Sequence, residues 1–251
     1  MIRKPAVAGI FYPSEKKELS VLVDSYLKKA KKSFNLKTVK ILIVPHAGVQ
    51  FSGQTAAHGF KQLENESYKR VILLGVSHHS QFTGVSVWNE DNWETPLGSV
   101  AVEKFFLEKN VDPHVHIFEH SLEVQLPFLQ RTLSNFKIVP ILLGQTNDFF
   151  IKDFAKKLSE NITDNDLLLV SSDLSHYLDY ETAIRVDSET INLILAGRNP
   201  TNACGADAIK IALLAAKLKK INTILKLDYS NSGDTGGDKD RVVGYGAIGF
   251  Y

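Results

Sequence analysis

Four short runs of uninterrupted apolar residues, KILIVP, RVILLG, KIVPILLG and DLLLVSS, recur along the chain with amphipathic segments between them. A strand exposed on one face alternates apolar and polar side chains, whereas a strand covered on both faces is apolar throughout. The pattern predicts an α/β architecture, a mostly parallel buried sheet flanked by helices. Further strands are expected at TGVSVW, INTILKLDYS and VVGYGAIGF, the last two as an antiparallel addition. Pro140 sits inside KIVPILLG without a ladder N–H, so it demotes the centre of that strand or marks a sheet edge. Apolar positions at helical spacing predict helices from an N-cap at Ser14 to Ala30 and at 54–63, 102–109, 121–134, 149–158, 180–197 and 206–219. No repeat or linker divides the chain, so residues 1–251 are expected to form one domain.

Charge excludes some classes of partner. Lys and Arg total 29 against 28 Asp and Glu, a net of +1, which gives no general attraction to nucleic acid or to an anionic membrane. The longest apolar runs fall far below the roughly 18 residues of a spanning helix. The start, MIRKPAVAGIFYPSEKKE, imitates a short signal peptide, but Pro5 opens its apolar part and charges stand where a cleavage site belongs. It is read as a folded segment, and a cytoplasmic location is expected. The single cysteine, Cys204, excludes an internal disulfide framework and a Cys-only metal cage. The chain also holds eight histidines.

Where the polar residues fall is informative. ILIV runs into Pro45-His46, VILLG into Val76-Ser77-His78-His79, and LLLV into Ser171-Ser172-Asp173-Leu174-Ser175-His176. Ligands of open α/β sheets bind beyond the carboxyl ends of strands, so these are positions that a site would use. Glu119-His120-Ser121, with Glu123, opens a predicted helix. Cys204 directly precedes another, where a helix N-terminus lowers a thiol pKa and prepares it as nucleophile or metal ligand. His58, His114 and His116 lie inside a helical stretch or a polar loop and are read as structural. No Gly-x-Gly-x-x-Gly turn follows a predicted strand, and a phosphate loop, an EF-hand and a Gly-x-Ser-x-Gly elbow are absent from the sequence.

AVAGIFYP, PHAGVQFSG, LGVSHH, TPLG, EHSLEVQLPF, VSSDLSHY, CGADAI and VVGYGA, spread from about residue 5 to 250, together resemble the Memo-like family. The resemblance implies a fold similar to the class III extradiol ring-cleaving dioxygenases, whose iron is held by two histidines and a carboxylate. It implies metal ligands at His46, His78 and Cys204, with Asp173, His176, His120 and Glu123 as further pocket residues and His79 as a motif neighbour. A thiolate in place of the carboxylate softens the site, so iron (Fe2+) is expected first, with copper or zinc as alternatives.

Two classes of function follow. In the first, the metal pocket serves a redox or dioxygenase-like reaction on a small-molecule substrate, with His176 as acid/base group tuned by Asp173 and His120 lining the pocket. A partnership with a radical-SAM protein in one pathway is implied by prokaryotic relatives. In the second, the same pocket is a non-catalytic module for a peptide or phosphopeptide, as implied by a mammalian relative regarded as a signalling adaptor. A metal-free cysteine nucleophile, Cys204 with His46 or His176, is a further alternative.

Overall fold

A computed structural model of the protein describes residues 1–33, 38–105 and 110–251. In chain order the elements are α1 (Lys16–Lys29), β1 (Ile41–Val44), α2 (Val49–Phe60), β2 (Arg70–Val76), β3 (Val85–Val87), β4 (Trp93–Thr95), β5 (Gly98–Val100), α3 (Leu126–Thr132), β6 (Lys137–Leu143), α4 (Asp148–Asn161), β7 (Asp166–Ser171), β8 (His176–Leu178), α5 (Tyr180–Leu195), α6 (Ala206–Leu218), β9 (Ile224–Asn231) and β10 (Val242–Phe250). The main sheet runs β3-β6-β2-β7-β1-β10-β8, with β9 added to β10. The central strands β6, β2, β7 and β1 are mutually parallel, while β3, β10, β8 and β9 pair antiparallel to their neighbours.

The continuous apolar runs are explained by helices on both faces. Leu42, Val44, Val71, Leu73, Leu167 and Leu169 face α1, α2 and α3. Their alternates Ile41, Ile43, Ile72, Leu74, Leu168 and Val170 face α4 and α6. Alternation across the pleat is still present; both sides happen to be dry.

Pro140 occupies an interior strand, paired with Leu73 of β2. Its other side falls between two partial partners. β3 covers Ile141 to Leu143, residues 101–103 bond to Ile138, and Pro140 contributes only its carbonyl, to Trp88 N–H. The missing donor therefore meets a gap in the ladder. Three helix expectations change. The first helix begins at Lys16, and its N-cap is Glu15 without a side-chain cap, so Ser14 does not cap it. Residues 103–105 are not helical: Glu103 N–H donates to the Ile138 carbonyl of β6 and Phe105 bonds to the Asn89 side chain, and 106–109 lie outside the described residues. The expected helix at 121–134 is a 3-10 turn, Glu123–Gln125, followed by the short α3.

The N-terminal segment is clamped to the body by a buried ion pair. Arg3 Nη1 donates to Glu123 Oε2 at 2.6 Å, and neither side chain is exposed to solvent. Glu123 also accepts from the N–H groups of Ala6 and Val7 and from the Tyr12 hydroxyl. Arg3 further donates to the carbonyls of His116 and Glu119 and lies 4.1 Å from the centre of the Trp93 ring. Every strong group in the clamp is partnered, which a buried charge pair requires. Nearby, His116 is fully buried, with Nε2 3.1 Å from the Ser86 carbonyl and Nδ1 unpartnered. Among the described residues no helix is long and apolar enough to cross a membrane.

Two outcomes follow from this packing. Glu123→Ala leaves the Arg3 charge buried and unpaired, and urea unfolding is expected to show a loss of about 3–5 kcal/mol; a loss well below 1 kcal/mol would contradict the clamp. Burial pushes the His116 imidazole down to about 3, whereas the unfolded chain takes up that proton near 6.5. The unfolded state therefore binds the extra proton between those values. The contribution is fully present above about pH 6.5 and is lost as pH falls toward 3, by at most about 1.4 kcal/mol per pH unit. His116→Gln is expected to flatten the fall in urea midpoint between pH 6.5 and 4; equal slopes in both proteins would rule the effect out.

Candidate metal centre

In the sheet, β7 lies between β2 and β1, and all three run parallel. Neighbouring strands are about 4.8 Å apart, so the residues that leave their carboxyl ends emerge side by side. His46 leaves β1, His78 leaves β2, and Asp173 leaves β7 between them. Cys204 arrives from the opposite direction, just before α6. Gly205, the N-cap of α6, donates its N–H to Ser172 Oγ at 3.0 Å. A Cβ on Gly205 would stand 2.8 Å from the Ser172 side chain and 3.2 Å from the Ser171 carbonyl. The absence of that atom lets the helix start seat directly on the end of β7.

The ligand atoms of His46, His78 and Cys204 all lie within 4.8 Å of one another. Cys204 Sγ is 3.3 Å from His46 Nε2, and tetrahedral nitrogen and sulfur ligands of one ion are about 3.3–3.6 Å apart. His46 is buried, Cys204 is half-buried, and the His78 side chain is 31% exposed, so the group has an open side. Asp173 N–H donates to Cys204 Sγ at 3.2 Å, and the Asp173 carbonyl accepts from Cys204 N–H. Asp173 Oδ1 accepts the His46 N–H at 2.7 Å, and Oδ2 stands 4.0 Å from His46 Nε2.

Glu119 anchors the second histidine. Its Oε2 accepts the His78 backbone N–H, and its Oε1 accepts from His78 Nδ1 at 3.0 Å and from the N–H groups of His120 and Ser121. Burial opposes its charge, yet the bonds from His78 and Ser121 hold its carboxyl well below the usual range. An ionised carboxylate only accepts, so Nδ1 of His78 carries the proton. Burial lowers the His78 pKa, but the bonds to Cys204 and Glu119 outweigh it and raise the imidazole to about 9. His78, Glu119 and His120 form a second set with ligand spacing. Four N–H donors already engage the Glu119 oxygens, which fits an anchor better than a ligand.

His120 stands over the group, its ring centre 4.6 Å from that of His78 and 5.5 Å from that of His46. Burial pushes its imidazole down to about 3, which keeps it neutral. Phe11 covers it at 4.7 Å, and Val49 N–H ties down the Phe11 carbonyl. His79 is exposed, 5.8 Å from His120. His176 is also exposed, with Nδ1 2.9 Å from the Leu174 carbonyl, while the Asp173 carboxylate is engaged by His46. Glu123 faces the N-terminal segment, as described above.

Of the residues expected from sequence, His46, His78, His120, Asp173 and Cys204 thus come together. Glu119 was visible beside His120, but nothing in the sequence assigned it the anchoring role. Ser171 was visible in the polar run after its strand, but without an assigned role; Phe11 and Gln125 carried no chemical signal, and their places depend on contacts between distant segments. His58 accepts weakly from Lys31 N–H, and His114 pairs with Asp112 at the surface, in keeping with structural roles. A cavity of about 410 Å³ opens beside Cys204 and His78, lined also by Ser80, Gln81, Gln145 and Asp207.

The profile of the Memo-like protein family matches residues 3–249. A MEMO1 family protein of Aquifex aeolicus (strain VF5) is 38% identical, over 97% of this chain and 97% of that protein. Another, from Saccharolobus solfataricus, is 39% identical over 100% of this chain and 99% of its own length. One from Thermoplasma volcanium is 37% identical over 99% and 98%.

Proposed function

The chain belongs to the Memo-like protein family, and on that premise we propose that His46, His78 and Cys204 bind one transition-metal ion serving a redox reaction on a small molecule. The observation that carries the proposal is the convergence of two imidazoles and one thiol from three separate elements onto one point with an open side. Two nitrogens and a sulfur make a soft to borderline donor set, which suits iron(II), copper or zinc better than magnesium or calcium. Iron(II) is the first choice, in line with the expected likeness to ring-cleaving dioxygenases. When bound, such an ion supplies Lewis acidity and, as iron or copper, one-electron redox chemistry.

The protein's own groups then have distinct tasks. Asp173 orients His46 through the backbone and holds a carboxylate oxygen 4.0 Å from His46 Nε2, next to the position of the ligand atom. His120, kept neutral, offers an uncharged wall next to His78 and His46. His176, exposed and with Nδ1 near the Leu174 carbonyl, stands outside the converging group and takes no part in this reading. Because His78 holds its proton to about pH 9, loading the site displaces a proton and strengthens as pH rises.

The cavity bears on the substrate. Its described lining includes no Lys or Arg side chain, and its carboxylate, Asp207, is already bonded to Thr146 and Lys210. That lining favours a small, uncharged polar molecule over a phosphorylated peptide.

Anaerobic loading with Fe2+ followed by metal analysis provides the test. Wild-type protein is expected to retain about one ion per chain, and Cys204→Ser or His78→Ala to retain little. Absence of stoichiometric metal in the wild type, or full retention by Cys204→Ser, would sink the proposal. Oxygen uptake with catechol then probes the reaction class. Metal-independent binding of a phosphotyrosine peptide would favour a recognition module instead.

A further inference from the structure

We infer that Ser171 and Gln125 are positioning residues that fix the tautomer of His46, keeping its proton on Nδ1 and turning the Nε2 lone pair toward Cys204. The inference rests on the metal-site reading above and adds to it how one ligand is prepared. The argument starts from two groups that can only accept hydrogen bonds, the backbone carbonyls of Pro45 and Ser121. Gln125 Nε2 lies 2.9 Å from the Pro45 carbonyl, so the amide must present its NH2 there rather than its oxygen. The second N–H of that NH2 is then directed at Ser171 Oγ, at 2.8 Å. Ser171 Oγ is also 2.6 Å from the Ser121 carbonyl, and its one proton is committed to that bond.

A hydroxyl whose proton is already given away can only accept from its remaining neighbours. His46 Nδ1 is the remaining neighbour, at 2.9 Å. Nδ1 must therefore carry the hydrogen, and Nε2, 3.3 Å from Cys204 Sγ, carries the lone pair. All four residues, His46, Ser121, Gln125 and Ser171, are essentially removed from solvent, so no water competes for these bonds. An inverted tautomer would set two lone pairs against each other at Ser171 and leave a buried group unsatisfied.

Glu119 performs the same service for His78 by a different device, an ionised carboxylate in place of a neutral hydroxyl relay. Both imidazoles therefore face the centre with Nε2. Outer partners of this kind typically change metal affinity by roughly 10–100-fold when removed.

Two measurements test the relay. In metal-free protein with 15N-labelled histidine, long-range 1H–15N correlation at pH 8 is expected to show His46 protonated on Nδ1. Ser171→Ala is expected to give a tautomer mixture and roughly 10–100-fold weaker Zn2+ binding in competition with a chelator. Ser171→Thr, which keeps the hydroxyl, is expected to restore both. A wild-type His46 protonated on Nε2, or unchanged tautomer and affinity in a folded Ser171→Ala, would overturn the inference. If Ser171→Ala fails to fold, the wild-type tautomer and Ser171→Thr decide. A wild type that shows the Nδ1 tautomer yet binds no Zn2+ would uphold the relay while refuting the metal reading.

Discussion

The buried pair of Arg3 and Glu123 holds the site together from behind. Arg3 reaches the carbonyls of His116 and Glu119 as well as the Glu123 carboxylate, so one guanidinium fixes both ends of the segment from 116 to 123. That segment supplies the Glu119 carboxylate beneath His78, the His120 ring over it, and the Ser121 carbonyl that takes the Ser171 proton. Gln125 follows immediately. Neither imidazole is oriented by its own strand alone. Each leaves a strand end that sets where it starts; Glu119 of this segment turns the His78 ring, and Ser171 of β7, whose hydroxyl donates to the Ser121 carbonyl of the segment, turns that of His46. The same clamp anchors residues 6 and 7 and Tyr12, which brings Phe11 over His120.

Within the site, two devices do comparable jobs at different electrostatic cost. Glu119 offers a full negative charge and takes four N–H bonds, and its partner His78 is correspondingly basic. Ser171 offers only an oxygen whose proton has been directed elsewhere. A second carboxylate behind His46 would be the simpler device, but Asp173 already stands beside that residue, bound to its backbone and close to Nε2. A neutral relay orients His46 without adding a further charge to a crowded interior.

The sheet was legible because its central strands are dry on both faces, and the ligand candidates because they follow those strands directly. Periodicity could not give the order β2-β7-β1, since that is a property of packing, and on that order the meeting of His46, His78 and Asp173 depends. The Ser14 cap failed by one residue: the helix starts at Lys16, its N-cap position falls on Glu15, and no side chain caps it. Ala101 and Glu103 took up bonds to Ile138 where Pro140 and the short β3 left the edge of β6 open, and Phe105 bonds to the Asn89 side chain, which overrode a helical pattern. Gln125 illustrates the remaining limit: a glutamine in an apolar run carries no chemical signature until its partners, 80 and 46 residues away, are in place.

The span between the ligands has a consequence for biogenesis. His46 and Cys204 are 158 residues apart, and the cysteine docks only once α6 has been made and seated on the finished end of β7. A chain emerging from the ribosome at about 5–20 residues per second therefore carries its two histidines for several seconds before any thiol exists to join them. The scaffold must already be assembled before all three donors can act together, so an ion bound as proposed would enter a largely folded protein rather than nucleate its fold.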